Sequence, residues 1–176
     1  MSESYSVVIP AFNAERTLAA SIESVLAQTV PPAAVIVVDD GSTDRTAEIA
    51  RAYSPQVTVI QQANSGCGTA TTRGFEAATT PLLACDDADD IWLRDKAARQ
   101  LEWLQRFSDV DGVFGRVRLF RHNETPQADA AIRDNWGRTT MMMRRPAALR
   151  IGPIIDPPHS CGDMVDWLAR ARELGL

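Results

Sequence analysis

Four apolar runs, separated by stretches with helical spacing, occupy the first half of the chain. YSVVIPAF (5–12), AAVIVVDD (33–40), VTVIQQ (57–62) and PLLAC (81–85) are largely continuous runs of apolar residues. Strands buried on both faces have that pattern. From Ala14 to Gln28, apolar residues recur at helical spacing through Leu18, Ile22, Val25 and Leu26, until Pro31 and Pro32 stop the pattern. GST (41–43) offers a turn and a helix N-cap before DRTAEIARAY. NSGCGTATTRGFEAA (64–78) is a glycine-rich lead into another helix. The alternation predicts an α/β fold, with a mostly parallel central sheet flanked by helices.

The second half is less regular. A helix is expected over roughly 94–107, and DGVFGRVRLF (111–120) has strand character. Residues 122–136 are polar and irregular, the best candidate for a mobile loop. TTMMMRR (139–145) reads as a strand, Pro146 to Arg150 as a short helix, and GPIIDPPHSCGD (152–163) as a Pro-rich loop. MVDWLARARELGL forms a final helix. With no internal repeat and no linker, one domain over 1–176 is expected.

Sheets of this kind bind ligands outside the carboxyl ends of their strands. Asp39 and Asp40 follow the second strand, and Asp86, Asp87, Asp89 and Asp90 follow the fourth. Two acidic strand ends can therefore converge on one crevice.

Composition narrows what could sit there. The 176 residues carry a net charge of −5, so no overall basic field favours nucleic acid or an anionic membrane. No run is long enough for a transmembrane helix. MSESYSVVIP lacks the charged start and long apolar segment of a signal peptide. Cys67, Cys85 and Cys161 have no zinc-like spacing and read as reduced thiols. The expected location is cytoplasmic. A diphosphate beside several carboxylates would be repelled unless a dication bridged them. Hard oxygen ligands suit Mg2+ or Mn2+, which keep waters and bind substrate phosphates. Taken alone, DADD reads equally as a solvated loop or as an N-cap for the helix after Trp92.

The ordered series SVVIPAFNAERTL, VIVVDDGSTDRT, NSGCGTATTRG, CDDADDIW with Lys96 following, MMMRRPAALRIGPIID and GDMVDWLARARELG resembles the family 2 glycosyltransferases of the GT-A (Rossmann-like) fold. The resemblance runs from about residue 5 to the C-terminus. It implies metal-dependent, inverting transfer of a sugar from a nucleotide-diphosphate donor, UDP-linked by family habit, to an acceptor. Residues 1–92 would be the nucleotide-sugar-binding half and 93–176 the acceptor-side half. Pro10, Ala11 and Asn13 match positions that contact the nucleotide, and Asp40 the position that reads the base. Asp39 would support the turn and the nucleotide pocket. Asp87 matches the residue facing the ribose and metal shell, and Asp89 the principal ligand of a divalent cation. Asp90 has a direct or a supporting role, and Asp86 falls at a position usually apolar. The acidic residue that faces the acceptor at the start of the last helix matches Asp163, the expected base. Asp166 lies one turn on, spaced to pair with Arg170.

The family's usual Arg–Asn pair is replaced by Thr71 and Thr72, and Arg73 is displaced by two positions. That departure favours an alternative: a non-catalytic nucleotide-sugar-binding or partner module that keeps the fold. Trp92, Trp103 and Trp167 read as packing residues, and Trp136 as the better candidate for stacking on a sugar. Met141, Met142 and Met143 read as core. His159 is foremost a loop histidine, and Arg144 and Arg145 are strand-end cations.

Overall fold

The computed structural model describes residues 4–120, 131–156 and 163–176. Among these residues eight strands and six α-helices follow in the order β1 (Tyr5–Ala11), α1 (Leu18–Leu26), β2 (Ala34–Asp39), α2 (Thr46–Arg51), β3 (Val57–Gln61), α3 (Cys67–Ala77), β4 (Leu82–Cys85), α4 (Lys96–Arg106), β5 (Gly112–Phe114), β6 (Arg116–Arg118), β7 (Ile132–Asp134), β8 (Met141–Arg144), α5 (Arg145–Ile151) and α6 (Asp163–Glu173). The six-stranded sheet has the order β3-β2-β1-β4-β8-β5. The first four strands are parallel, and β8 runs antiparallel to both neighbours. This is the expected α/β architecture.

β1 sits in the middle of the sheet and is wholly buried, so its residues feed two cores in alternation. Tyr5, Val7 and Ile9 face a core completed by Leu18, Ile22, Leu101 and Leu104. Val8 faces the other side with Phe75, Met141, Met143, Ile151 and Trp167. Helices α1, α2 and α4 thus cover one face, and α3, α5 and α6 the other. A continuous apolar run is what this double burial demands. At Gly74, α3 approaches β1 so closely that an added Cβ would lie 2.2 Å from Val8 Cγ1. Gly74→Ala should therefore cost about 2 kcal/mol, because neither the helix nor the central strand can retreat. A denaturant midpoint within error of the parent's would show that the helix can shift.

Three elements differ from the sequence expectation. α1 starts at Leu18, not near Ala14, because Ala14 to Thr17 make a turn fastened to the loop after β2. Ala14 N–H donates to Thr46 Oγ1 at 2.8 Å and Glu15 N–H to Asp44 Oδ2 at 3.0 Å. The segment 111–120 is two strands. At Gly115, whose N–H donates to the Thr140 carbonyl at 3.0 Å, the chain leaves the central sheet, and β6 pairs with β7 in a separate ribbon. Part of the expected loop, Ile132–Asp134, is therefore strand, while 122–130 lies outside the described residues. Finally, α4 begins at Lys96, so Asp87, Asp89 and Asp90 do not cap it.

Candidate functional site

The strand order reverses between β1 and β4: from β1 the chain builds outward through β2 and β3, then returns to place β4 on the other side. Loops leaving the carboxyl ends of β1 and β4 diverge there and leave a crevice. A cavity of about 610 Å3 fills it, bounded by Pro10, Phe12, Asn13, Asp87, Asp89 and Arg138 among others.

The loop after β2 holds Asn13 at the cavity's edge; of that stretch only Asp44 lines the cavity, while Asp39 and Asp40 are buried beside it. Asn13 adopts a left-handed backbone, φ 49°, which asparagine tolerates better than most residues. Its Oδ1 accepts from Thr43 N–H at 2.9 Å, and its own N–H donates to Ser42 Oγ at 2.9 Å. Asp39 accepts from Ser42 N–H at 3.1 Å and from Gln61 Nε2 at 2.9 Å, which fixes the turn. Asp40 accepts from Gln62 Nε2 at 2.7 Å and from the backbone N–H groups of Ser65 and Gly66, both at 2.9 Å. It is 2% exposed. A carboxylate offers about four acceptor positions, so three fasten the 62–66 loop and one remains. Pro10 and Asn13 line the cavity. Ala11 is buried in the core at the strand end.

Phe12, unremarked in the sequence, is 51% exposed at the mouth of the crevice. Its only sequence signal is an aromatic residue ending an otherwise buried strand. The two threonines at 71–72 bond back into their own helix, and Thr72 Oγ1 also accepts from Ile154 N–H, in the loop after α5, at 2.9 Å. Thr71 Oγ1 donates to the Cys67 carbonyl and Thr72 Oγ1 to the Gly68 carbonyl, at 2.8 and 2.9 Å. Neither hydroxyl contributes charge. The N-terminus of α3 is instead closed by Asp156, which accepts from Gly68 N–H at 2.7 Å and Thr69 N–H at 2.8 Å.

The acidic segment divides by burial. Asp86 is inside the fold, accepting from Ser21 Oγ at 2.9 Å and Thr139 Oγ1 at 3.1 Å. Burial raises its carboxyl, and nearby Lys96 opposes the shift. Lys96 is pushed down to about 7 by its own burial, against the pull of Asp86. Its ammonium lies 3.5 Å from the centroid of the Trp92 ring and donates to Gln100 Oε1 at 2.9 Å. This is a structural network beneath the loop, and Asp86 is outside the cavity lining. Burial also raises Asp90. Asp89 is exposed and faces the cavity.

Asp87 meets a partner that the sequence reading missed. Arg138 Nε donates to Asp87 Oδ1 at 2.9 Å, and the same guanidinium pairs with Asp163 Oδ2. The Arg138 side chain is only 16% exposed. Burial raises the Asp87 carboxyl, opposed by Arg138. Burial disfavours the Arg138 charge, but the acidic surroundings more than offset this and hold it protonated. Arg138 opens the short 3-10 turn Arg138–Thr140. No spacing or periodicity in the sequence marks that position. Asp166, by contrast, pairs with Arg170 Nε at 2.9 Å as its spacing predicts.

Asp87, Arg138 and Asp163 also bound a second cavity of about 300 Å3, lined further by Trp136, Gly137, Met164, Val165 and Leu168. Asp87 and Arg138 line both cavities and form a shared wall, with Asp163 on the smaller cavity's side of it. Trp92 and Trp167 are buried as expected, while Trp103 is 56% exposed on the far surface, stacked on Phe107. His159 and Cys161 lie outside the described residues. Cys67, exposed on the larger cavity, and Cys85, in the core, are free thiols, and burial raises the Cys85 thiol, which disfavours the reactive thiolate there.

Among the described residues, no three His, Cys, Asp or Glu side chains gather into a ready-made metal cage. Mg2+ and Mn2+ need no such cage when substrate phosphates complete their shell. Exposed Asp89, with Asp87 two residues away on the same cavity, fits that kind of site. No helix among the described residues is long and apolar enough to cross a membrane.

A model of the family described as Glycosyl transferase family 2 matches residues 6–159. An uncharacterized glycosyltransferase of Nostoc sp. is 40% identical over 123 residues, covering 68% of this chain and 38% of the relative. Among solved structures, S. aureus TarS in complex with UDP superposes with a TM-score of 0.76 at 22% identity, over 96% of this chain and 55% of that one. A mannosyltransferase of Pyrobaculum calidifontis, in complex with GDP-Man and Mn2+, gives 0.75 at 20% identity, over 99% and 53%. The chain spans between a quarter and two-fifths of the length of the first curated relatives it matches.

Proposed function

Because the chain belongs to glycosyl transferase family 2, we propose that it moves a sugar, with inversion, from a nucleotide-diphosphate donor to an acceptor hydroxyl. The observation that carries this reading is the shared wall: Asp163 stands on the smaller cavity, tied through Arg138 to Asp87 on the larger one. The larger cavity takes the donor. Phe12 offers its ring face to the base, and the free acceptor position on Asp40 suits the ring N–H of uracil, which favours UDP. Pro10, Ala11 and Asn13 shape the strand end under the nucleotide. In this division residues 1–92 hold the donor and 93–176 serve the acceptor, within one domain.

The acceptor hydroxyl attacks the anomeric carbon from the side opposite the diphosphate. As the new C–O bond forms, the bond to the leaving diphosphate breaks, and Asp163 takes the hydroxyl proton. Asp89, supported by Asp87, would hold a divalent cation, which would neutralise charge developing on the leaving group. Arg138 holds Asp163 in place and adds fixed positive charge beside the same wall.

A panel of UDP-, GDP- and ADP-sugars, incubated with Mg2+, Mn2+ or EDTA, tests this through release of nucleoside diphosphate. The expected result is release from a UDP-sugar, dependent on metal. In calorimetry, Asp89→Asn should weaken UDP binding about tenfold in Mn2+ and leave it unchanged in EDTA. Equal UDP affinity with and without metal in the parent chain would sink the metal bridge. Tight UDP-sugar binding with no release or transfer under any condition would leave a nucleotide-sugar-binding module.

A further inference from the structure

We propose that the smaller cavity is an acceptor subsite for a neutral sugar ring, with the indole of Trp136 as its stacking face. The inference rests on Asp163 being the base.

Trp136 is 66% exposed, yet it is held firmly from behind. The Phe114 ring packs against it, centroids 5.3 Å apart and tilted by 49°. The backbone on either side is pinned by one hydroxyl: Thr140 Oγ1 lies 2.8 Å from the Asn135 carbonyl oxygen and 3.0 Å from that of Gly137. A large, open aromatic face on a fixed turn is a ready-made platform. Across the cavity, α6 presents Val165, 72% exposed, with Leu168 below it. Asp163 and Arg138 close the inner end.

A pyranose matches this arrangement. One face of the ring carries C–H bonds whose hydrogens are weakly positive, and these favour the negative face of an indole. Its rim of hydroxyls supplies the group that Asp163 deprotonates. At about 300 Å3 the cavity stands at the lower end for small-molecule sites, so it holds one ring and not a chain. Charge selects further. Two carboxylates share a single guanidinium here, leaving a net negative end that repels phosphorylated or uronic acid acceptors.

The test is saturation-transfer NMR on the full chain with UDP and Mg2+, using methyl glycosides of glucose, galactose, mannose and N-acetylglucosamine, with 1-hexanol as an apolar control. At least one glycoside should receive saturation at the protons of one ring face. Trp136→Ala should cut that signal about fivefold, the share a single aromatic contact carries, with UDP signals unchanged, and Trp136→Phe should restore most of it. Trp136→Ala leaves no core cavity, so folding is not at stake. The proposal is overturned if no glycoside is saturated, if the signal ignores Trp136→Ala, or if 1-hexanol gives the same Trp136-dependent signal. A Trp136-dependent glycoside signal together with normal transfer by Asp163→Asn would retain the subsite and remove the base assignment, so the two ideas fail separately.

Discussion

Asp163→Asn should lower the rate of sugar transfer about 10³-fold, within the range for loss of a positioned base, and leave nucleotide affinity unchanged. Asparagine keeps the shape of the side chain and can still accept from Arg138, so the wall between the cavities stays standing. What disappears is the capacity to take a proton. A steady-state transfer assay, paired with UDP calorimetry on the same preparation, separates the two quantities. Near-normal turnover would falsify the assignment and direct attention to Asp166. That residue is already paired with Arg170 at 2.9 Å, which makes it the poorer base.

Arg138→Ala should damage both stability and activity. It leaves Asp87 and Asp163 facing each other without the cation between them. Removing one member of a buried charge set commonly costs 3–5 kcal/mol. The Asp87 side chain is 32% exposed, so water relieves part of the penalty, and about 2–3 kcal/mol is expected. Arg138→Lys keeps the charge but lacks the planar fork that meets two carboxylates at once, so it should recover only part of the loss. The sign of the pH dependence follows from Asp87, whose carboxyl is already raised by burial and would rise further without Arg138. A raised folded-state pKa means that the native protein binds the proton more tightly than the unfolded chain. The penalty in Arg138→Ala should therefore shrink as pH falls through that raised value and grow above it. Urea denaturation of parent and variant across that pH interval checks it. A stability gap that widened toward acid pH would show that the guanidinium acts through packing and not through charge.

Much of the fold was legible along the chain because each strand declares its own burial. β1, β2 and β4 are apolar on both faces, and no partner need be known to read that, whereas β3, at the sheet edge, is only partly buried. The helices between them were equally readable in kind, though not in extent. Ala14 to Thr17 carry a helical pattern but make a turn, because Thr46 and Asp44, about thirty residues away, take up the N–H groups of Ala14 and Glu15. In 111–120 the period is the same on both sides of Gly115, so nothing local reveals that β5 joins one sheet and β6 another.

The site shows the same division. Asp40, Asp89 and Asp163 are named by motif, and their positions on strand ends and a helix start follow from local pattern. Arg138 lies 51 residues from Asp87 and 25 from Asp163. Asp156 closes the start of α3 from 88 residues beyond Gly68. An arginine or aspartate in a loop has the same local signature whether it meets water, a cation or a carboxylate.

The sequence by itself therefore determined the α/β layering, the crevice at the strand ends and the acidic character of that crevice. These depend on periodicity and composition, which act through neighbours a few residues apart. Only the tertiary structure decided which carboxylate is buried and which is open, that Arg138 joins Asp87 to Asp163, and that Trp136 stands over a second cavity. Those outcomes depend on desolvation and on charges a few ångströms apart in space, and the chain brings such groups together only when the sheet has closed.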